Sequence, residues 1–272
     1  MNLCPEISSR PARRRAFTLL EMLVVLVIIA IIAGLVLPHI RGNTESVAIN
    51  AACRQLVADF SYARQRAISQ RSTVAVVFLS TEILDPDILT GNLSPNEKAE
   101  IKRLHAGVFT HYALYQYRRV GEQPGTRETD GYITEWKSLP DKTFVVTPDK
   151  FNRDDSFFRV NPLNNPAPKF RFPFSSSPAL NFGGVGLPYV AFDHEGRCIT
   201  VDRDETGAGS MTGRDRRLNV SRGAVFAPRD NNGLVPFADF EWKEVPPDNG
   251  NNNVIYINEL TGRAKRLETS LQ

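Results

Sequence analysis

One carboxylate stands inside a long apolar run near the start of the chain. The run from Phe17 to Leu37 contains 21 residues, and Glu21 is its only ionisable residue. A carboxylate in hydrocarbon costs about 2.5–3.5 kcal/mol on insertion scales, so it is expected to have a functional partner. The chemistry that this pattern predicts is the pairing of charges in an apolar environment.

The basic residues of the chain are unevenly distributed. Residues 1–16 carry Arg10, Arg13, Arg14 and Arg15 against Glu6, and the rest of the chain holds 29 basic and 29 acidic residues. Because positive charge stays on the cytoplasmic side of a membrane, the arginines predict a cytoplasmic leader and a body outside the inner membrane. The neutral body excludes a protein that coats nucleic acid through overall charge.

Three interpretations of the apolar run compete. A secretory signal peptide has a shorter apolar core and a small-x-small cleavage site, and Ile31-Ile32-Ala33 is a poor site. A plain membrane anchor explains the length and the arginines but gives no reason for Glu21. The third interpretation is a processed segment that begins at Phe17.

The stretch RRRAFTLLE, from Arg13 to Glu21, resembles the type III signal of type IV pilins and type II secretion pseudopilins. The resemblance implies that a prepilin peptidase cuts between Ala16 and Phe17 and methylates the new amine of Phe17. Glu21 is then the fifth residue of the mature chain, where the family carries glutamate, and Pro38 matches a helix-loosening proline. Ala16 departs from the glycine that the family has before the cut.

The same resemblance assigns Glu21 a role in assembly. When subunits stack, its carboxylate would neutralise the terminal amine of a neighbour, because a paired charge in a low-dielectric core is tolerable and a lone one is costly. The alternative is an incidental polar residue near the membrane interface.

The expected fold class is α+β, the pilin fold, with a long N-terminal helix packed on an antiparallel β-sheet head. An apolar stripe predicts that the helix continues beyond the membrane, with a kink or a melted turn near Pro38. The stripe consists of Ile49, Cys53, Leu56, Phe60, Ala63 and Ala67. The expected divisions are a leader at 1–16, a transmembrane and polymerisation helix at 17–39, an amphipathic helix at 40–71 and a periplasmic β-rich head at 72–272.

The pattern after Arg71 is typical of β-strands. Residues 81–106 and 147–186 are rich in Pro, Asn, Ser and Asp and are expected to be long loops. The predicted strands are Thr73–Leu79, Phe109–Arg118, Phe144–Val146, Tyr189–Phe192, Cys198–Val201, Ala224–Phe226 and Phe237–Val245, followed by a hairpin of Val254–Asn258 and Arg263–Leu267.

Four shorter segments narrow the resemblance to the GspH/FimT type of minor pseudopilin. They are AACRQL at Ala51–Leu56, YARQRAI at Tyr62–Ile68, AFDHEGR at Ala191–Arg197 and TGR at Thr261–Arg263.

No catalytic motif, and no cofactor, is predicted. The glycines of Asn181–Gly186 precede Leu187-Pro188, which cannot open a phosphate-binding helix, and the four histidines lack metal-ligand spacing. Asp202, Asp204 and Glu205 form either a calcium loop or, as favoured, a solvated acidic turn. Cys53 and Cys198 are expected to be separate buried thiols, although a disulfide between them stays open.

A basic cluster lies at Arg263, Lys265 and Arg266. It resembles the C-terminal G-R-x-R by which the pilus branch of the family is taken to bind DNA, with lysine in place of the second arginine. Arginines of Met211–Arg222 could extend this patch. A solvated hairpin is the favoured interpretation, because three cations give a weak, salt-sensitive contact at best.

These observations predict a minor pseudopilin of a type II secretion pseudopilus, anchored once in the inner membrane with its head in the periplasm. It would be no enzyme, and its partners would be prepilin peptidase, other pseudopilins and membrane lipid. The alternatives are a minor pilin that binds DNA for uptake and an anchored domain that never polymerises.

Overall fold

The computed structural model describes residues 19–90, 93–119, 131–145, 170–175, 177, 187–201, 209–211, 215–247 and 253–268. The chain divides into two compact units, residues 1–45 and 46–272. Helix α1, Leu19–Gln70, runs unbroken for 52 residues. No melted turn is therefore present near Pro38, because a proline in a helix interior can kink the chain without ending the helix; the kink stays a prediction. Among the described residues, no helix has an apolar stretch long enough to cross a membrane.

The part of α1 within the second unit packs through one apolar face. All six residues of the predicted stripe are buried, from Ile49 at 8% exposure to Ala67 at 0%, and Ala52 lies beside them. Arg54, Ser61, Gln65 and Ser69 are exposed on the opposite face, as the spacing predicts. The helix ends at Gln70, and the following Arg71 adopts a left-handed conformation with φ 48°.

Seven of the described strands form one antiparallel sheet in the order β3-β2-β1-β6-β7-β8, with β4 also paired to β2. Strand β1 is buried on both faces, and β6 and β7 match the predicted bounds. The strands are β1 Ser72–Phe78, β2 His111–Arg119, β3 Gly131–Tyr132, β4 Lys137–Ser138, β6 Tyr189–Phe192, β7 Cys198–Val201 and β8 Gly209–Ser210.

A second antiparallel sheet has the order β10-β9-β11-β12, with β5 paired to β9. Its strands are β5 Thr143–Val145, β9 Arg216–Phe226, β10 Glu241–Glu244, β11 Asn253–Ile257 and β12 Ala264–Glu268. The predicted terminal hairpin is confirmed as β11–β12. The prediction of a short strand at Ala224–Phe226 is wrong in length, because alternating polar residues from Arg216 onwards also belong to β9. The Phe237–Val245 prediction began too early, since Phe237–Asp239 is a 3-10 helix.

The prediction of a loop at 81–106 is wrong. This segment holds 3-10 helices at Thr81–Leu84 and Pro86–Thr90, helix α2 at Pro95–Leu104 and a 3-10 turn at His105–Gly107. Ser94 and Glu97 form a capping box at the start of α2: the amide of Glu97 donates to Ser94 Oγ, and the amide of Ser94 donates to Glu97 Oε2. The polar and proline residues that indicated a loop are thus the cap of a helix.

Two layers of core surround the first sheet. One face of β1, with Val74, Val76 and Phe78, packs with the α1 stripe and with residues of the second sheet. The other face, with Ala75 and Val77, is covered by α2, the 3-10 helices and aromatic residues of 170–175. The α+β class with a helix packed on antiparallel sheets is confirmed.

Candidate functional site

The processing residues Ala16 and Phe17 lie outside the described residues. Glu21 lies in the first turn of α1, where a negative charge is favourable at the positive end of the helix dipole. Every described side chain between residues 19 and 32 is exposed, including that of Glu21. Pro38 lies within the unbroken helix. This region therefore presents an apolar helical surface with one carboxylate near its beginning.

Three of the segments singled out by resemblance meet at Arg64, in the YARQRAI segment of α1. Its Nε donates to the carbonyl oxygen of Gly196 at 3.1 Å and to that of Thr261 at 2.6 Å. Gly196 belongs to the β6–β7 turn and Thr261 to the β11–β12 turn. The Arg64 junction, meaning Arg64 with these two turns, thus joins the helix to both sheets.

Glycine is required at both turns of the Arg64 junction. Gly196 and Gly262 have φ +80° and +59°, a region that favours glycine. A Cβ added at Gly262 would collide with the carbonyl oxygen of Gly196, so the two turns touch through backbone atoms. The amide of Cys198 also donates to the carbonyl oxygen of Glu259 at 2.8 Å, which holds the turns together.

Asp193 organises the β6–β7 turn from a buried position. Its Oδ1 accepts from the amides of Glu195 and Arg197 at 3.0 and 2.8 Å, and its Oδ2 accepts from Arg197 Nε at 2.7 Å. The AFDHEGR segment therefore forms a turn in which Arg197 neutralises Asp193.

The three residues of the C-terminal basic cluster have different surroundings. Arg263 and Lys265 are exposed, whereas Arg266 is half-buried and hydrogen-bonded to Asn50 of α1 and, at 2.8 Å, to Asn253. Lys265 and Arg266 point to opposite faces because they are adjacent in a strand. The structure does not bring all three together on one surface.

A different set of residues gathers around Tyr256. Lys265 and Arg217 are its direct partners on β12 and β9, so all three side chains share one sheet face. Lys265 Nζ lies 5.6 Å from the centre of the Tyr256 ring, and the Tyr256 hydroxyl donates to Asp215. We call Arg217, Tyr256 and Lys265 the basic face. Arg216, by contrast, donates to Thr200 Oγ1 at 3.0 Å.

A partly buried polar network that sequence reasoning missed ties α1 to the first sheet. Asp59 accepts from Tyr112 Oη at 2.6 Å and from Lys137 Nζ at 2.8 Å, and Gln55 Nε2 donates to Tyr112 Oη at 2.8 Å. Burial and then Asp59 raise the pKa of Tyr112, so its hydroxyl stays a donor. The sequence feature that could have indicated this network is the i, i+4 spacing of Gln55 and Asp59, two polar residues beside the apolar stripe.

Both described cysteines are free and buried. Burial raises the pKa of Cys53, against an opposing effect of Arg266, and raises that of Cys198 to about 12, against Arg216. The expectation of separate thiols is confirmed. Within the described ranges, no group of His, Cys, Asp and Glu residues could hold a metal ion. The glycines of 181–186 and the carboxylates of 202–205 lie outside those ranges.

Comparison with known proteins agrees with the N-terminal pattern. A family profile, the prokaryotic N-terminal methylation motif, matches residues 11–37. The chain carries a prepilin-type motif. It is also 33% identical over 121 residues to type II secretion system core protein G from Pectobacterium carotovorum subsp. carotovorum. That alignment covers 44% of this chain and 58% of the relative, so the chain spans less than two thirds of the relative's length. No solved structure matches the chain.

The motif, the relative and the fold agree at the level of class. The chain is similar to type IV pilins and pseudopilins in its N-terminal methylation motif, and its α1 packs on antiparallel sheets as the pilin fold requires. The named relative is a component of a secretion system.

Proposed function

We propose that this chain is a minor pseudopilin, a structural subunit of a type II secretion pseudopilus. The observation that carries the proposal is the methylation motif at residues 11–37, which contains an apolar helical segment whose described side chains, at 19–32, are exposed. The similarity to a type II secretion core protein favours the secretion pseudopilus over other pilin-like fibres.

Processing follows from the motif. Prepilin peptidase removes residues 1–16 and methylates Phe17, and the segment 17–39 then anchors the chain in the inner membrane. The arginines before the cut keep the leader in the cytoplasm, so the head lies in the periplasm. The chain itself performs no catalysis in this scheme.

Assembly depends on Glu21. Its side chain is exposed near the beginning of α1, among apolar neighbours that are exposed as well. Packing such helices together buries their apolar surface, and the carboxylate then pairs with the amine that cleavage creates on Phe17 of a neighbouring subunit. The pair fixes the axial register, because a shifted helix would leave two charges buried without compensation.

The test is Glu21→Gln, which keeps the shape of the side chain and removes its charge. Removing one partner of a buried pair is strongly destabilising, so we expect incorporation into the pseudopilus to fall at least about tenfold. Membrane insertion and processing should be unchanged. Cross-linking to other pseudopilins measures incorporation, membrane fractionation measures insertion, and the intact mass reports cleavage and the added methyl group.

Val24→Ala on the same helix is the matched control and should assemble normally. Wild-type assembly of Glu21→Gln would contradict the pairing, and full secretion without any cross-link would favour the anchored domain that never polymerises. Retention of residues 1–16 in the presence of prepilin peptidase would contradict the processing scheme.

The basic face favours one second candidate, a minor pilin that binds DNA. Arg217 and Lys265 are exposed on either side of Tyr256, and a row of cations beside an aromatic ring suits a phosphate backbone with stacked bases. Arg263 is exposed at the preceding turn, and Arg266 is engaged by Asn50 and Asn253.

Fluorescence anisotropy of the full-length chain in detergent against duplex DNA separates the two candidates. Under the secretion proposal we expect no binding at physiological salt. Under the DNA proposal, binding would weaken steeply with salt and would fall further in Arg217→Gln/Lys265→Gln. Lys243→Gln, an exposed lysine on β10, is the control for non-specific charge loss.

A further inference from the structure

His105 is a buried histidine between α2 and the loop that joins β9 to β10. The residue is 2% exposed, and the amide of Val235 in that loop donates to its Nδ1 at 3.4 Å. Val235 is itself 1% exposed. An imidazole nitrogen that accepts a hydrogen bond carries no proton, so the ring is neutral in this arrangement.

Protonation of this ring would have two effects. An imidazolium has two donors and no acceptor, so the hydrogen bond from the Val235 amide would be lost. A positive charge would also be placed in the core, among Leu104, Val108 and Val235, which belong to the same buried cluster. Both effects separate the loop from α2.

The charged groups around His105 oppose protonation further. Burial lowers the pKa of His105, and Arg229 of the loop and Lys102 of α2 lower it too, against an opposing effect of the Ile83 backbone. Lys102 Nζ donates to the carbonyl oxygen of Asn232 at 2.9 Å, so this cation is held against the loop.

The carboxylates of the same elements have other partners. Glu82 bonds to Ser80, Glu100 pairs with Arg103 at 2.6 Å, and Asp230 accepts from two amides of its own loop. The charged groups that shift the pKa of His105 are thus the cations Arg229 and Lys102.

The loop is a defined structure with its own exposed apolar residue. Asp230 Oδ1 accepts from the amides of Asn232 and Leu234, which closes a turn at Gly233 with φ +76°. Beyond Val235 the loop continues to Phe237, whose side chain is 66% exposed. The attachment at His105 thus sets where this phenylalanine is presented.

We propose that His105 is an acid-sensitive latch, which holds the β9–β10 loop on α2 at neutral pH and releases it when the ring is protonated. The folded, latched state favours the neutral ring, so folding lowers the affinity of His105 for protons. The stabilisation is fully present above the ordinary histidine pKa of 6.5 and is lost as the pH falls below it.

Hydrogen–deuterium exchange of the full-length chain in detergent, at pH 7.5 and pH 5.0, tests the latch. After correction for intrinsic exchange rates, we expect protection of the Val235 amide and its neighbours to fall by up to about thirtyfold at the lower pH. Strand β1 is the internal reference and should be unchanged. The capping box does not titrate in this range, because hydrogen bonds from Ser177 and then Ser94 lower the pKa of Glu97 below 4.5.

His105→Asn places an amide oxygen near the position of Nδ1 and cannot be protonated in this range. The loop should then stay protected at both pH values. His194→Asn, on an exposed turn, is the matched control and should keep the wild-type response. His111 also has a lowered pKa, through burial and Arg103, but its Nδ1 faces Thr110 Oγ1 at 2.9 Å, and in the described part of the chain no loop amide donates to it.

Arg229→Gln supplies a second variant should His105→Asn fold poorly. Removing this cation raises the pKa of His105 and should reduce the pH response of the loop. Equal loop protection at both pH values in the wild type, or an unchanged pH response in His105→Asn or in Arg229→Gln, would overturn the proposal.

Discussion

At the scale of single residues, Arg64 connects the helix to both sheets of the head. One guanidinium on α1 binds two carbonyl oxygens that come from different hairpins and different sheets. Hydrogen bonds from a charged donor are stronger than neutral ones, and both acceptors lie in turns that pack through glycine. The residue therefore acts as a structural centre that joins α1 to both sheets.

We expect Arg64→Leu to lower the free energy of unfolding by about 2 kcal/mol, because two carbonyl groups lose a charged donor. Urea denaturation of the full-length chain, followed by circular dichroism, measures the change. Arg54→Leu, an exposed arginine on the same helix, should change stability by no more than about 0.5 kcal/mol. Equal losses in the two variants would show that the Arg64 junction is not the cause.

At the scale of elements, helix α2 shows how a capping box helps to set the position of the β9–β10 loop. Its capping box fixes the start of the helix, and its last turn supplies Lys102 and, directly afterwards, His105, which hold the β9–β10 loop. A change at the capping box should therefore also affect Lys102 and His105, which contact the loop at the other end of α2.

Ser94→Ala should raise the exchange rate of α2 amides about fivefold, since loss of such a cap costs about 1 kcal/mol. This effect should be the same at pH 7.5 and pH 5.0, in contrast to the effect at His105. Exchange measured on α2 peptides tests this, with Ser61→Ala on the exposed face of α1 as the control. A pH-dependent effect of Ser94→Ala would mean that the cap and the latch are not separable.

The elements also show what could be read from the sequence. The stripe from Ile49 to Ala67 and the β11–β12 hairpin were predictable, because helical and strand periodicity follow from burial on one face. Helix α2 was missed because its composition is polar, although Ser94, Pro95 and Glu97 have the sequence pattern of a capping box. The Arg64 junction was not predictable, because pairing of distant turns depends on how the two sheets pack.

At the scale of the whole molecule, the two compact units correspond to different physical tasks. The described beginning of α1 exposes apolar side chains. Such exposed apolar surface is typical of a segment that contacts lipid or other subunits. The second unit buries its own core around the rest of α1 and both sheets. The apolar run around Glu21 was legible from the sequence, whereas the arrangement of the basic face needed the strand registers.

The contacts of α1 with the C-terminal hairpin also determine the order in which the head can fold. Arg64 and Thr261 are 197 residues apart, and Asn50 and Arg266 are 216 residues apart. Both contacts therefore form only after the residues of the β11–β12 hairpin have been synthesised, long after those of α1. Contacts of such long range form slowly.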